Sequence, residues 1–221
     1  MGSTTLISSA FTALLNYAEV GRRNRILTNY QFLSHSRFSH GGKFWTTSTT
    51  GTWATSSARK VLCSNPGTGV TNQAIAQAIQ KAKKYFTGVI IAGKMHGAGS
   101  KEPVMNREIA KELIEAGADI LLVPAVGTVP GFTEEALIDI VQFAHEHETL
   151  VLSAIGTSQE GSSKEVIEQI AIRNKICGVD IQHIGDAGYG GLADVNNIFA
   201  LSVAIRGMRH TVARMASSVV R

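Results

Sequence analysis

The chain has 221 residues, of which 44% are hydrophobic, and its formal net charge is +4. This length suits one sizeable domain rather than two. No run of about 18 apolar residues occurs, so we predict no membrane span, and LISSAFTALL near the start lacks the basic leader of a signal peptide. The two cysteines, Cys63 and Cys177, have no metal-type spacing, and we interpret them as reduced thiols of a cytoplasmic protein.

The positive charge is concentrated at the beginning of the chain. Residues 1–60 contain seven Lys or Arg and a single acidic residue, Glu19. Such a basic arm is one signature of nucleic-acid binding. Here, however, the cations are scattered among Ser, Thr and aromatic residues, without a helical stripe or a known binding motif. We therefore expect no nucleic-acid partner.

From Val61 onward, short apolar runs alternate with segments of helical periodicity. Asn106 and Thr133 are predicted N-caps, and Gly117 is a predicted helix stop. The last helix is predicted to be long. The predicted strands are 60–64, 88–93, 118–125, 149–156 and 179–185, and the predicted helices are 71–86, 106–117, 133–148, 162–178 and 196–218.

The glycines at the ends of successive strands are spaced as βα units require. Gly67, Gly93, Gly127, Gly156 and Gly185 are separated by 26 to 34 residues, and one βα unit needs about 30. Strands that are apolar on both faces indicate a covered parallel sheet, either a barrel or an open doubly wound sheet. The absence of GxGxxG after the first strand and the polar, glycine-rich loops favour the barrel.

We therefore predict an α/β protein of the (β/α)8 TIM-barrel type that is incomplete, with five recognisable C-terminal βα units. Such a barrel typically needs about 250 residues, and three further units should precede Val61. Residues 12–33 predict at most one helix, and residues 38–60 are rich in Ser and Thr without a strand pattern. The predicted organisation is an atypical segment, 1–60, that is frameshifted, disordered or divergent, followed by the barrel portion, 61–221.

Six motifs between residues 65 and 216 occur in a fixed order: NPGTGVTN, IIAGKMHGAG, ILLVPAVGTVPG, AIGTSQEG, HIGDAGYGG and SVAIRGMRHTVARMA. Together they resemble an uncharacterised bacterial TIM-barrel family associated with sugar phosphotransferase operons. Members are often labelled haloacid dehalogenase-like hydrolases. Dehalogenase chemistry uses an Asp-x-Asp motif, which this chain lacks. The resemblance covers residues 61–221 and implies a sugar phosphate as ligand.

Gly-Thr at the ends of strands suggests an anion site. Glycine lets backbone N–H groups point toward a ligand, a hydroxyl adds a donor, and a following helix N-terminus favours phosphate. In TIM barrels the common phosphate site uses the loops after strands 7 and 8, which here are the last two. The predicted phosphate-binding residues are Gly156, Thr157, Ser158, Gly185 and Gly188; the alternative is that these glycines only form tight turns.

Four ionisable residues near strand ends are candidate catalytic residues. Lys94 could form a Schiff base or polarise a carbonyl, with a solvated rim lysine as the alternative. His96 could transfer protons. His183 either points into the barrel mouth or is a core histidine. Asp186 could act as a base, or could cap its own loop.

Further polar residues are predicted to bind substrate: Asn65, Thr68 and Glu160. Asn65 equally suits a turn and Glu160 a surface position. No metal site is predicted, because HEHE at 145–148 lies at the C-terminal end of a helix, where histidine suits the helix dipole.

These residues favour a domain that binds a small phosphorylated metabolite, with lyase or isomerase chemistry on a phosphorylated carbonyl compound. One alternative is an inactive truncated or frameshifted remnant of such an enzyme, and another is a flavin-binding oxidoreductase. The cofactor is unknown. The expected partner is the phosphorylated metabolite, with no nucleic acid and no membrane, and a homo-oligomer is left open.

Overall fold

The computed structural model describes residues 14–15, 59–62, 69–97, 99–185 and 193–216. The strands are β1 (Leu14–Leu15), β2 (Arg59–Leu62), β3 (Val89–Gly93), β4 (Ile120–Pro124), β5 (Leu150–Ile155) and β6 (Ile181–Ile184). The helices are α1 (Asn72–Lys83), α2 (Arg107–Ala116), α3 (Glu134–Glu146), α4 (Lys164–Ile176) and α5 (Val195–Ala216), with a 3₁₀ turn at Ser158–Gly161.

One sheet contains these strands in the order β1-β6-β5-β4-β3-β2. Strands β2 to β6 are parallel and each pairs with its neighbours in the chain, whereas β1 joins β6 antiparallel. The prediction of alternating strands and helices from Val61 onward is therefore confirmed. Within residues 12–33, for which at most one helix was predicted, Leu14–Leu15 is instead a short strand.

The crossover helices all cover the same face of the sheet. Ile90, Leu121 and Val151 on this face pack with residues of α1, α2 and α3, and Ile155 and Ile184 pack with α4 and α5. The opposite face has its own buried apolar cluster: Ile91, Ile120, Leu122, Leu150, Leu152, Ala154 and Ile181. Consecutive strand order with helices on one face is a singly wound arrangement, because a doubly wound sheet reverses its strand order and places helices on both faces.

The helices begin where short polar side chains satisfy free backbone N–H groups. Asn106 accepts a hydrogen bond from the N–H of Ile109 at 2.9 Å, and Thr133 accepts one from Ala136 at 3.3 Å. Gly117, at φ 107°, ends α2 in the left-handed conformation. All three predicted helix boundaries are confirmed.

The last helix is not continuous, and its prediction as one long helix is wrong. Gly207 has φ 79° and ψ 161°, which interrupts α5. The hydroxyls of Ser202 and Thr211, on either side of the break, approach to 3.0 Å. The Lys175 ammonium donates to the carbonyl of Ile205 at 2.6 Å and so caps the first half.

Two aspartates at the amino edge of the sheet fix the strand register. Asp119 accepts hydrogen bonds from the N–H of Ile90 at 2.8 Å and from Lys83 at 3.0 Å. Asp180, 61 positions later, bonds to the N–H of Val151 and to Nε2 of His145, both at 2.9 Å. Each aspartate therefore joins the strand it precedes to the start of the neighbouring strand.

The spacing of 61 residues recurs at two further pairs of positions that have the same local geometry. Gly117 and Gly178, 61 positions apart, both have positive φ just before these aspartates. Thr133 caps α3, and Asp194, again 61 positions later, accepts from the N–H groups of Asn196 and Asn197 at the start of α5. These positions therefore recur at a spacing of 61 residues. Because β3 to β6 are parallel, their carboxyl ends lie along one edge of the sheet.

Gly93 provides the first test of this packing. A Cβ added there would overlap the carbonyl oxygen of Leu122, and the φ of Gly93 is +152°. We predict that Gly93→Ala lowers the free energy of unfolding by about 3 kcal/mol or more, since the obstacle is backbone. Urea unfolding would measure this loss. Gly97→Ala is the control, because its Cβ would meet nothing closer than 3.9 Å; equal stability of the two variants would contradict the prediction.

Candidate functional site

Loops from four consecutive strands meet at the carboxyl edge of the sheet. After β3, Met95 lies over Gly156, where an added Cβ would be 2.6 Å from the Met95 Sδ. After β5, the Thr157 hydroxyl donates to the carbonyl of Thr128, in the loop after β4, at 3.3 Å. The contacts thus bring together the loops after β3, β4 and β5.

Glu160 extends this cluster to the end of β6. Its carboxylate lies against Gly185, where an added Cβ would overlap Oε2. The residue is 8% exposed, and the Asn197 amide of α5 donates to its backbone carbonyl at 3.1 Å. The alternative of a simple surface position is therefore wrong for Glu160, which is a buried carboxylate at the carboxyl edge.

The predicted phosphate-binding residues fall into two groups. Gly156 and Thr157 are half-buried and Ser158 is exposed, so this part of the edge is open to solvent. Gly185 instead faces the Glu160 carboxylate. A phosphate at Gly185 would have to displace the Glu160 side chain, so Gly156–Ser158 is the accessible part of the prediction. Gly188 lies outside the described residues.

Lys94 is neither a solvent-exposed lysine at the rim nor an amine that is accessible to a substrate. Its residue is fully buried, and its Nζ lies 3.2 Å from Oε2 of Glu102 and 3.4 Å from Oγ of Ser100. Glu102 also accepts a hydrogen bond from the N–H of Asn72, at the start of α1, at 2.8 Å. This N–H and the Lys94 ammonium lower the pKa of Glu102, which keeps the partner of the buried lysine ionised.

The two candidate histidines lie at different places on the edge. His96 is half-buried in the loop after β3, and burial, with a smaller effect of the Lys94 charge, lowers its pKa. His183 lies in β6 beside Ala154 of β5. By strand alternation it shares the face of Ile181, opposite the helices. Asp186, Asn65 and Thr68 lie outside the described residues.

Three residues that shape this edge were not predicted from the sequence. Glu102 neutralises Lys94, and Asn197 holds the backbone of Glu160. Asn174, fully buried in α4, accepts from the N–H of Val126 at 3.1 Å and thereby fixes the loop after β4. The two asparagines occupy polar positions within otherwise apolar helical stripes, a signal that the sequence does contain. Glu102 has no such local pattern.

The described residues contain no cluster of three or more His, Cys, Asp or Glu side chains arranged to hold a metal ion. None of the described helices is both long enough and apolar enough to cross a membrane. A surface cavity of about 330 Å³ is lined by residues that include Gly127, Thr133, Glu134 and Arg173. The predicted site residues do not line it.

The fold and its carboxyl edge define a singly wound α/β domain whose polar loops follow consecutive parallel strands. The family model described as a domain of unknown function, DUF7916, matches residues 40–221. Because the match spans more than half of the chain, the protein belongs to this family. The match begins within the segment 1–60. No curated protein matches the chain.

The charge of Lys94 gives a test of the site's electrostatics. We predict that Lys94→Met raises the pKa of His96, because it removes a nearby positive charge that disfavours the imidazolium. An NMR titration of the His96 ring would measure this rise. Lys111→Met, in an exposed ion pair of α2, is the control and should leave the His96 titration unchanged.

The same lowered pKa has a consequence for stability. The unfolded chain binds a proton at His96 near pH 6.5, above the folded pKa. The His96 contribution to the free energy of unfolding is therefore complete above pH 6.5 and is lost as the pH falls through the folded pKa. For the Lys94→Met titration above, a His96 pKa that stays unchanged or falls in a folded variant would contradict the effect of the Lys94 charge on His96.

Proposed function

We propose that the chain is part of a (β/α)8 barrel that binds a small phosphorylated carbonyl compound at the carboxyl edge and moves a proton on it, as an isomerase or lyase does. The buried carboxylate of Glu160 against Gly185 is the observation that supports this proposal most directly. Buried carboxylates at the ends of strands are typical general acids and bases. The singly wound sheet supports the barrel part of the proposal.

The proposed substrate would lie with its two ends at different loops. Its phosphate would bind at Gly156–Ser158, where Gly156 and Thr157 are half-buried and Ser158, with its hydroxyl donor, is exposed. Its carbonyl carbon would lie nearer Glu160, because a dianion is repelled there. His183, on the face of β6 opposite the helices, and His96, whose pKa is lowered by burial, would assist proton transfer.

A ligand panel tests the phosphate part of this proposal. We expect sugar phosphates to raise the melting temperature of the protein, and the same sugars without phosphate to have no effect. Ser158→Glu, which places a negative charge at the exposed end of the site, should abolish the shift. Equal shifts by phosphorylated and unphosphorylated sugars would contradict a phosphate site.

Glu160→Gln tests the proton transfer separately. For a sugar phosphate that binds, we expect exchange of the carbon-bound proton next to its carbonyl with D2O, measured by NMR. The variant should lose this exchange by about 100-fold or more while still binding the ligand, since it removes a repulsive charge. Glu165→Gln, at an exposed glutamate of α4, is the control. Undiminished exchange in Glu160→Gln would exclude Glu160 as the acid or base.

A second candidate function is that of a subunit that acts only with another chain, as an incomplete barrel would. Among the described strands, β1 and β2 are the outermost and pair on one side only. Met208, Val212 and Met215 also lie exposed along the second half of α5. Light scattering coupled to size-exclusion chromatography gives the oligomeric state, and a thermal melt of the same sample gives the sharpness of unfolding. A monomer that melts sharply contradicts an obligate subunit.

A further inference from the structure

The loop between β3 and α2, residues 94–106, is tied to the start of α1 at several points. Glu102 accepts from the N–H of Asn72 at 2.8 Å. The Asn72 side chain in turn donates to the carbonyl of Pro103 at 3.2 Å. Glu102 therefore lies at the junction of this loop and helix α1, and it holds Lys94 as well.

Because Lys94 is buried, this junction requires a carboxylate partner for its ammonium. Its ammonium is fully buried, with Glu102 and Ser100 as its partners. An ammonium left in this place without its carboxylate would be strongly disfavoured. We therefore expect the strand end to change its position when Glu102 can no longer pair with Lys94.

Met95 and His96 directly follow Lys94, so their positions depend on it. Met95 contacts Gly156, at the accessible part of the predicted phosphate site. His96 is half-buried next in the chain. A displaced Lys94 would therefore move one wall of the candidate site.

We propose that Glu102 is a positioning residue of this site: by pairing with the buried Lys94, it holds the loop after β3 toward β5, with Met95 against Gly156. This inference rests on the proposed function only for the identity of the ligand, and the position of the loop is argued independently of it. Its test needs no ligand, so a failed ligand panel and a failed loop test are separate results.

The experiment follows the Met95 methyl group by NMR in the full chain labelled with 13C-methyl methionine, and Met95→Leu assigns its signal. We expect Glu102→Gln to shift the Met95 signal by more than its linewidth, because the loop loses its anchor. The signals of Met208 and Met215, exposed on α5, should not move. Glu115→Gln, in an exposed ion pair with Lys111, is the matched control and should leave Met95 unchanged.

A second variant covers the case in which Glu102→Gln does not fold. Lys94→Met combined with Glu102→Gln leaves no unpaired buried ammonium, so we expect it to melt cooperatively and still to show a displaced Met95 signal. Glu102→Asp, which keeps the charge, should return Met95 toward its wild-type position. A Met95 signal that stays in place in folded Glu102→Gln, or in the double variant, would overturn the proposal.

Discussion

The register of the parallel sheet depends on two carboxylates at its amino edge. Asp119 and Asp180 each bond to the N–H of the second residue of a neighbouring strand and to a basic side chain from the end of a helix. A shift of one residue would reverse the face of every side chain in the strand. Asp119 aligns β3 with β4 and Asp180 aligns β5 with β6, while the backbone ladder aligns β4 with β5. Together they bring Met95 to Gly156, and Glu160 to Gly185, at the opposite edge.

Charge is used differently at the two edges. At the amino edge the aspartates are part-exposed and bond to backbone of adjacent strands, which is a structural role. At the carboxyl edge, Lys94 and Glu160 are buried within loops. Burying a charge is unfavourable unless it is paired and hydrogen-bonded, so such residues persist where a loop must keep one conformation. In (β/α)8 barrels the amino face is the end associated with stability, and the carboxyl face carries the active site.

Local patterns predicted the fold better than the site. The N-caps at Asn106 and Thr133 depend on interactions within a few residues, and the structure confirms them. The break at Gly207 was missed because the apolar stripe of α5 continues through it, and one glycine in a helix is tolerated. Glu102 was missed because its partners are Lys94, eight positions earlier, and Asn72, thirty positions earlier. No periodicity links such residues.

The strand-end glycines show where sequence reasoning about ligands stops. A glycine turn indicates that the chain makes room and presents N–H groups, but it does not identify the anion. At Gly185 the group that fills this room is the chain's own Glu160, four positions after Gly156 in the same predicted site. The N–H of Gly185 donates to the carbonyl of Ile155 at 2.9 Å, so this donor is used within the sheet and is not offered to an anion. The backbone of Glu160 is held by Asn197, on a helix that follows β6. The predicted anion site therefore divides into an end that the protein fills itself and an end, at Ser158, that it leaves accessible.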